Sequence, residues 1–343
     1  MFKKNRTKNI KTALITGMAG QDGSYLAELL LSKKYKVFGL VRKGEQDLKN
    51  IPSKAEVLYG DLKDLKSIEN AINKARPDEV YNLAGISDLK TAFQLPKKTM
   101  DINYRGVGRL LAESLRVNHK VRFLQASSSE IFKPSKKPLN EKSTRNWQTD
   151  NLYARTKMLA DRDFVESYRE SKSIFACSAT LFNHESPRRP DRFVTRKITS
   201  TLSKIKLGLA ECLELGNLDA RRDWGFAGDY VEAMWRMLQA GKPKDFVIAT
   251  GSTHTVKEFV EAACGFLSIK IFWRGKGVET EGVDENGHII VKINPDFYRL
   301  TEKYPKVGDI TKAKKILKWK PKTSFGQLVG MMVQDDLERV NKK

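Results

Sequence analysis

The sequence predicts an α/β fold, a doubly wound and mainly parallel sheet with a smaller mixed region toward the C-terminus. Three observations carry the prediction. Short β-rich runs in the first half are apolar almost without interruption, as strands buried on both faces must be. Helical patterns separate them, and the βαβαβ alternation requires right-handed crossovers between parallel strands. A cluster of glycines follows the first run and opens the first helix.

In chain order, the strands are TALITG (12–17), KVFGLV (36–41), AEVLYG (55–60), EVYNLAG (79–85), VRFLQASS (121–128) and IFACSATLF (174–182). Helices are expected over Ser24–Ser32, Leu65–Lys74, Lys97–Val117 and Tyr153–Glu170. Beyond Asn183 the pattern loosens, with one more buried strand at FVIATG (246–251) and a helix over Val256–Leu267. Gly275–Ile290, rich in Gly, Glu and Asp, reads as a loop or hairpin. The expected organisation is a basic tail over 1–11, a dinucleotide-binding domain over 12–182 with a later contribution from 225–267, and a substrate-binding region mainly over 183–343.

The chain has 343 residues, enough to bury a sizeable core. No apolar run approaches the ~18 residues of a membrane span, so no membrane association is expected. MFKKNRTKNIKT lacks the apolar stretch of a secretory signal. Cys177, Cys212 and Cys264 stand far apart beside apolar segments, which suits buried reduced thiols and a cytoplasmic protein. The 4 histidines show no metal-ligand spacing, and no metal site is expected. Net charge is +22, yet the Lys and Arg are spread along the whole chain, without an arginine-rich block or an aromatic RNA-binding signature. That pattern argues against nucleic acid and suits a solvated surface and an anionic small substrate.

Gly17-Met-Ala-Gly20-Gln21-Asp22-Gly23 is G-x-x-G-x-x-G between a strand and a helix. Glycine there permits the tight turn and lets the backbone approach a pyrophosphate at the helix N-terminus, the dinucleotide fingerprint of a Rossmann fold. At the end of the second strand an acid would hold the 2′-hydroxyl of NAD. Arg42 and Lys43 stand there instead, which favours the 2′-phosphate of NADP. Asp61 and Leu62 follow the third strand, where an acid can meet the adenine edge, and Leu83-Ala84-Gly85 closes the fourth strand beside the cofactor.

Tyr153-Ala-Arg-Thr-Lys157 is Y-x-x-x-K at a helix start, and its spacing places both side chains on one face. An ammonium near a phenol stabilises the phenolate and makes it a base. Ser128, at the end of the fifth strand, supplies the hydroxyl partner, while Ser127 and Ser129 read as spacers that finish the strand and turn. Glu130 is the unusual residue. A simple reductase needs one base for an alcohol proton; a carboxylate two residues beyond Ser128 supplies a second group able to alternate between base and acid.

Together the glycine turn, Ser128 and Y-x-x-x-K resemble the extended short-chain dehydrogenase/reductase superfamily, which leaves reductases, epimerases and dehydratases open. TALITGMAGQDGSYLAELLL, LFNHESPRR with FVTRKI, LGNLDARRDWGFAGDYVEAMWRMLQ, DFVIATG, and FYRLTE with GDITKAKKILKWKP are similar to the GDP-mannose 4,6-dehydratase family, whose GDP-manno-heptose relatives share many of these strings. The resemblance implies that Tyr153, with Ser128 and Lys157, deprotonates the sugar 4-hydroxyl as C4 gives hydride to NADP. Glu130 would then take the C5 proton and help the 6-hydroxyl leave as water before the hydride returns to C6. It further implies that Ser87, His184 and Arg189 meet the cofactor. Asn183, Lys197, Gly216, Asn217, Arg222, Arg299 and Glu302 would meet the GDP-sugar. This chain departs from the family at Ile86 and Asp88, which stand where it carries Gln and His, and at Lys98, in place of a tyrosine. A short segment after the second strand, where the family often has a longer Ser- and Arg-rich one, makes a homodimer the expected assembly, with a homotetramer the alternative.

Overall fold

Thr12–Thr16 (β1) shows why the first prediction works: Ala13, Leu14 and Ile15 have no exposed surface, so both faces of the strand are covered. The structure, a computed structural model, describes residues 10–45, 48–298 and 304–341. Around β1 lie Lys36–Val41 (β2), Glu56–Tyr59 (β3), Glu79–Asn82 (β4), Arg122–Ser128 (β5), Phe175–Leu181 (β6) and Phe246–Ile248 (β7). They form one sheet in the order β7-β6-β5-β4-β1-β2-β3. The pairings β1–β2, β1–β4, β2–β3 and β4–β5 are all parallel. Strand order therefore reverses between β1 and β4, and in such sheets the crevice beyond the carboxyl ends at that point is where ligands bind.

Parallel pairing demands crossovers, and Gln21–Ser32 (α1) and Leu65–Ala75 (α2) supply two of them. Asp64 starts α2 by accepting the Lys66 amide, the usual work of an aspartate at this position. The helix expected over Lys97–Val117 is present, but Asp101–Arg105 within it is wound as a π turn. The helix expected from Tyr153 begins at Leu152 and likewise holds a π turn, Asp161–Glu166, before ending at Lys172. Such turns recur at functional sites.

The chain divides into two compact units. The first comprises the chain up to Ile131, Arg145–Thr180 and Val231–Phe246; the second comprises Phe132–Thr144, Leu181–Tyr230 and the chain from Val247 onward. In the first, Leu14, Phe38, Val80 and Phe123 of the sheet pack on Ile68, Ile72, Leu110 and Leu111 of the helices. Each fully buried side chain of this size contributes about 1.5–3 kcal/mol. In the second, Phe272–Arg274, Glu281–Val283 and Ile289–Ile293 run antiparallel, and the last pairs in parallel with Leu213–Leu215. Gly275–Ile290 thus contains a hairpin, stabilised by the Ile290 and Val291 side chains it buries. Trp224 packs edge-on against Phe259, and Asp223 beside it accepts from the amides of Thr250, Gly251 and Gly308, so both are packing residues. Cys177 and Cys264 are buried free thiols, and Cys212 is a half-buried one.

Candidate active site

The glycine turn is built as its chemistry requires. Gly17 has φ +71, the left-handed region, and a Cβ there would lie 3.0 Å from the Ala84 backbone. A Cβ on Gly23 would lie 2.3 Å from the Gly17 carbonyl oxygen. Gly20 starts α1 in extended geometry without a side-chain cap, which leaves the 12-residue helix a backbone-lined N-terminal cradle suited to a diphosphate. Gln21 is buried and donates to Asp22 at 3.0 Å. Gly23→Ala should therefore lose about 1–3 kcal/mol from the combined stability and dinucleotide affinity. Thermal unfolding with and without NADP reads the loss; a parent-like melting point and an undiminished cofactor-induced rise would contradict it.

Past β2, Arg42, Lys43, Tyr59, Asp61 and Ser67 line a cavity of about 760 Å³. Arg42 pairs there with Glu45 at 2.8 Å. The Asp61 carboxylate accepts the Lys63 amide, and Leu62 is buried beneath it. Across the turn, the Thr16 hydroxyl accepts the amides of Leu83 and Ala84, joining the ends of β1 and β4. A Cβ on Gly85 would crowd the Asn103 side-chain oxygen at 3.1 Å and stand in ordinary contact, 3.7 Å, with Lys157 Nζ. Ser87 is exposed. Of the two departures nearby, Ile86 packs its side chain against the apolar core of the first unit while Asn103 holds its backbone amide and carbonyl, and Asp88 caps Leu89–Gln94 by accepting the Thr91 amide.

Strand β5 carries Ser128, buried, straight into the turn Ser129–Ile131 that presents a half-buried Glu130. The Glu130 amide donates to Ser128 Oγ at 3.2 Å. Asn151 starts the next helix, accepting the Ala154 amide, and its own amide nitrogen lies 3.5 Å from Glu130 Oε2. That helix puts Tyr153 and Lys157 on one face, with Nζ 5.7 Å from the phenol ring centre. Lys157 is buried and donates to the Ala126 carbonyl at 2.7 Å. Burial pushes its ammonium down to about 8, against which the charge of Asp161 works. Ser128, Glu130, Tyr153 and Lys157 thus come from three successive elements, strand, turn and helix, the last two linked by Asn151, a residue whose signal in the sequence was a helix-capping type two residues before the tyrosine. Ser127 is no spacer: its hydroxyl donates to Asp161 at 2.5 Å, because the strand end faces the helix across a dry interior.

In the second unit, Asn183, His184, Arg189, Lys197, Gly216, Asn217 and Arg222 are all half-buried. His184 stacks on Tyr230 with ring centres 4.8 Å apart, and Arg189 lies over Phe193 while pairing with Glu185 at 3.0 Å. Lys197 and Gly216 meet at Phe297: the ammonium lies 4.2 Å from its ring centre, and a Cβ on Gly216 would be 2.3 Å from its carbonyl oxygen. Desolvation depresses the Lys197 pKa. Asn217 accepts the Asp219 amide, and Arg222 pairs through its backbone with His254. Arg299 and Glu302 lie outside the described residues.

A parallel sheet with a glycine cradle at its first strand, and a helix bearing a tyrosine and a buried lysine beside its fifth, define a Rossmann-type enzyme of the short-chain dehydrogenase/reductase class. The solved Pseudomonas aeruginosa RMD complexed with NADPH shares this fold, with a TM-score of 0.76 and 21% identity over 96% of this chain and 100% of that one. Residues 14–332 match the family model for GDP-mannose 4,6 dehydratase. The GDP-mannose 4,6 dehydratase of Drosophila melanogaster is 44% identical, covering 97% of this chain and 87% of the relative. That of Dictyostelium discoideum is 45% identical over 96% and 97%. The chain belongs to the GDP-mannose 4,6-dehydratase family.

Proposed function

We propose that this protein removes water from GDP-mannose to form a GDP-4-keto-6-deoxy sugar, using NADP that is regenerated within each turnover. The observation that carries the reading is Glu130, presented by the turn after Ser128 and linked through Asn151 to the helix of Tyr153 and Lys157. The glycine cradle fits the cofactor diphosphate, and Arg42 and Lys43 at the adjoining cavity fit a 2′-phosphate. When bound, the nicotinamide supplies a hydride acceptor for C4 and a hydride donor for C6.

The remaining chemistry is the chain's own. Tyr153, its phenolate favoured by the Lys157 ammonium and its partner hydroxyl supplied by Ser128, takes the proton of the sugar 4-hydroxyl. The ketone at C4 acidifies the C5 proton, which Glu130 removes. Glu130 then returns a proton to the departing 6-hydroxyl, and one water leaves. Lys197, Gly216, Asn217 and Arg222 serve the GDP moiety; their half-burial and the desolvated Lys197 ammonium suit an anionic ligand. Arg299 and Glu302 belong to the same proposal.

The test supplies purified protein with GDP-mannose, and in parallel GDP-manno-heptose, together with substoichiometric NADP. Loss of the mass of one water is expected, and no loss from either sugar would sink the reading. For the cofactor, Arg42→Ala should weaken NADP about 10-fold or more, since one charge-assisted phosphate contact is worth about 1.5–3 kcal/mol, and leave NAD nearly unchanged. Equal loss for both would remove Arg42 from phosphate recognition.

A further inference from the structure

One buried acid lies behind the candidate site and has no part in the chemistry above. Asp161 follows Lys157 by one helical turn and Tyr153 by two, so all three share a face. It is 1% exposed and opens the π turn Asp161–Glu166. Its two carboxylate oxygens accept from Ser127 on β5 at 2.5 Å and from Ser178 on β6 at 2.6 Å. Lys157 meanwhile donates to the carbonyl of Ala126, the neighbour of Ser127. Strand and helix thus hold a carboxylate and an ammonium one helical turn apart, both buried and each tied to the end of β5. Two hydroxyls fix the carboxylate oxygens, a service given to an anion that must stay in one place.

We propose that Asp161 is a positioning residue, a buried counter-charge aimed by Ser127 and Ser178 that keeps Lys157 an ammonium beside Tyr153. The role in turnover rests on the dehydratase reading; the charge coupling does not. A desolvated lysine with no nearby anion would lose its proton readily and cease to favour a phenolate. Asp161 opposes that loss. Other charges act on it as well: Arg145, itself paired with Glu166, favours its ionised form, whereas Asp245, paired with Arg169, opposes it. Burial nevertheless raises its own carboxyl from 3.8 to about 6. The anion is therefore available through the neutral range, and between about 6 and about 8 Asp161 and Lys157 are both charged.

Stability has the opposite sign. A carboxyl whose pKa is higher in the folded chain favours folding most below the unfolded value, and that advantage fades as pH rises through the folded one. Asp161→Asn never ionises and should melt no lower than the parent above about pH 6. A residue that served packing alone would show a lower melting point at every pH.

The direct test labels lysine with carbon-13 at Cε and follows the one resonance that titrates near 8, assigned by its absence in Lys157→Met. In Asp161→Asn its midpoint should fall by about one unit, and the alkaline limb of water loss should fall with it. An unmoved midpoint overturns the inference whatever the activity. A midpoint that moves in a protein whose parent form releases no water overturns the dehydratase reading instead. Should the Asn variant fail to fold, Ser127→Ala with Ser178→Ala removes the hydroxyls that hold the anion. The acid limb should then move to higher pH, and a limb that stays in place overturns the inference.

Discussion

Glu130→Gln is expected to bind cofactor and sugar, to reduce the nicotinamide, and then to stall. Glutamine keeps the shape and the contact from Asn151 but can neither take the C5 proton nor return one to the leaving hydroxyl. Loss of a positioned acid/base lowers rates by about 10²–10⁴-fold. Stopped absorbance should show reduced nicotinamide accumulating to the level of bound enzyme, with water release slowed by that factor. Water release at the parent rate would end the acid/base role of Glu130. The parent should show no such accumulation, because the hydride is returned within the same turnover.

Tyr153→Phe should fail one step earlier, and the contrast is what makes the pair informative. The ring is half-buried and Phe preserves it, so the fold and the Lys157 contact with the Ala126 carbonyl should persist. Without the phenol oxygen nothing takes the 4-hydroxyl proton, so water loss should again fall about 10²–10⁴-fold. Here, however, no reduced nicotinamide should build up. If both variants stalled with reduced cofactor, the order assigned to the two bases would be wrong.

Much of the first unit could be read from composition alone, for a physical reason. A strand covered on both faces has no solvent side, so Leu14, Val80 and Phe123 sit in runs that stand out without any partner being known. The glycine turn was equally legible, because its steric demands at Gly17 and Gly23 arise within a few residues and one neighbouring strand. The π turns at Asp101–Arg105 and Asp161–Glu166 were not, since an extra residue in a helical turn leaves the apolar pattern almost intact. Ser127 was misread as a spacer because its partner lies 34 residues away, and no local rule pairs a strand-end serine with a helical aspartate. Asp88 departs from the family pattern, yet in the structure it caps a short helix by accepting the Thr91 amide. In the second unit the singled-out residues come from separate elements, and only the tertiary structure brings Lys197 and Gly216 to the same phenylalanine.

In the proposed reaction hydride leaves C4 and returns to C6 of the same sugar while Glu130 expels water between the two transfers. GDP-mannose deuterated at C4, incubated with the protein and unlabelled NADP in excess, tests it in one mass spectrum. The expected product is lighter by one water and keeps its deuterium, now at C6, with none in the recovered cofactor. Deuterium found in the free cofactor, or a product that retains its full oxygen count, would contradict it.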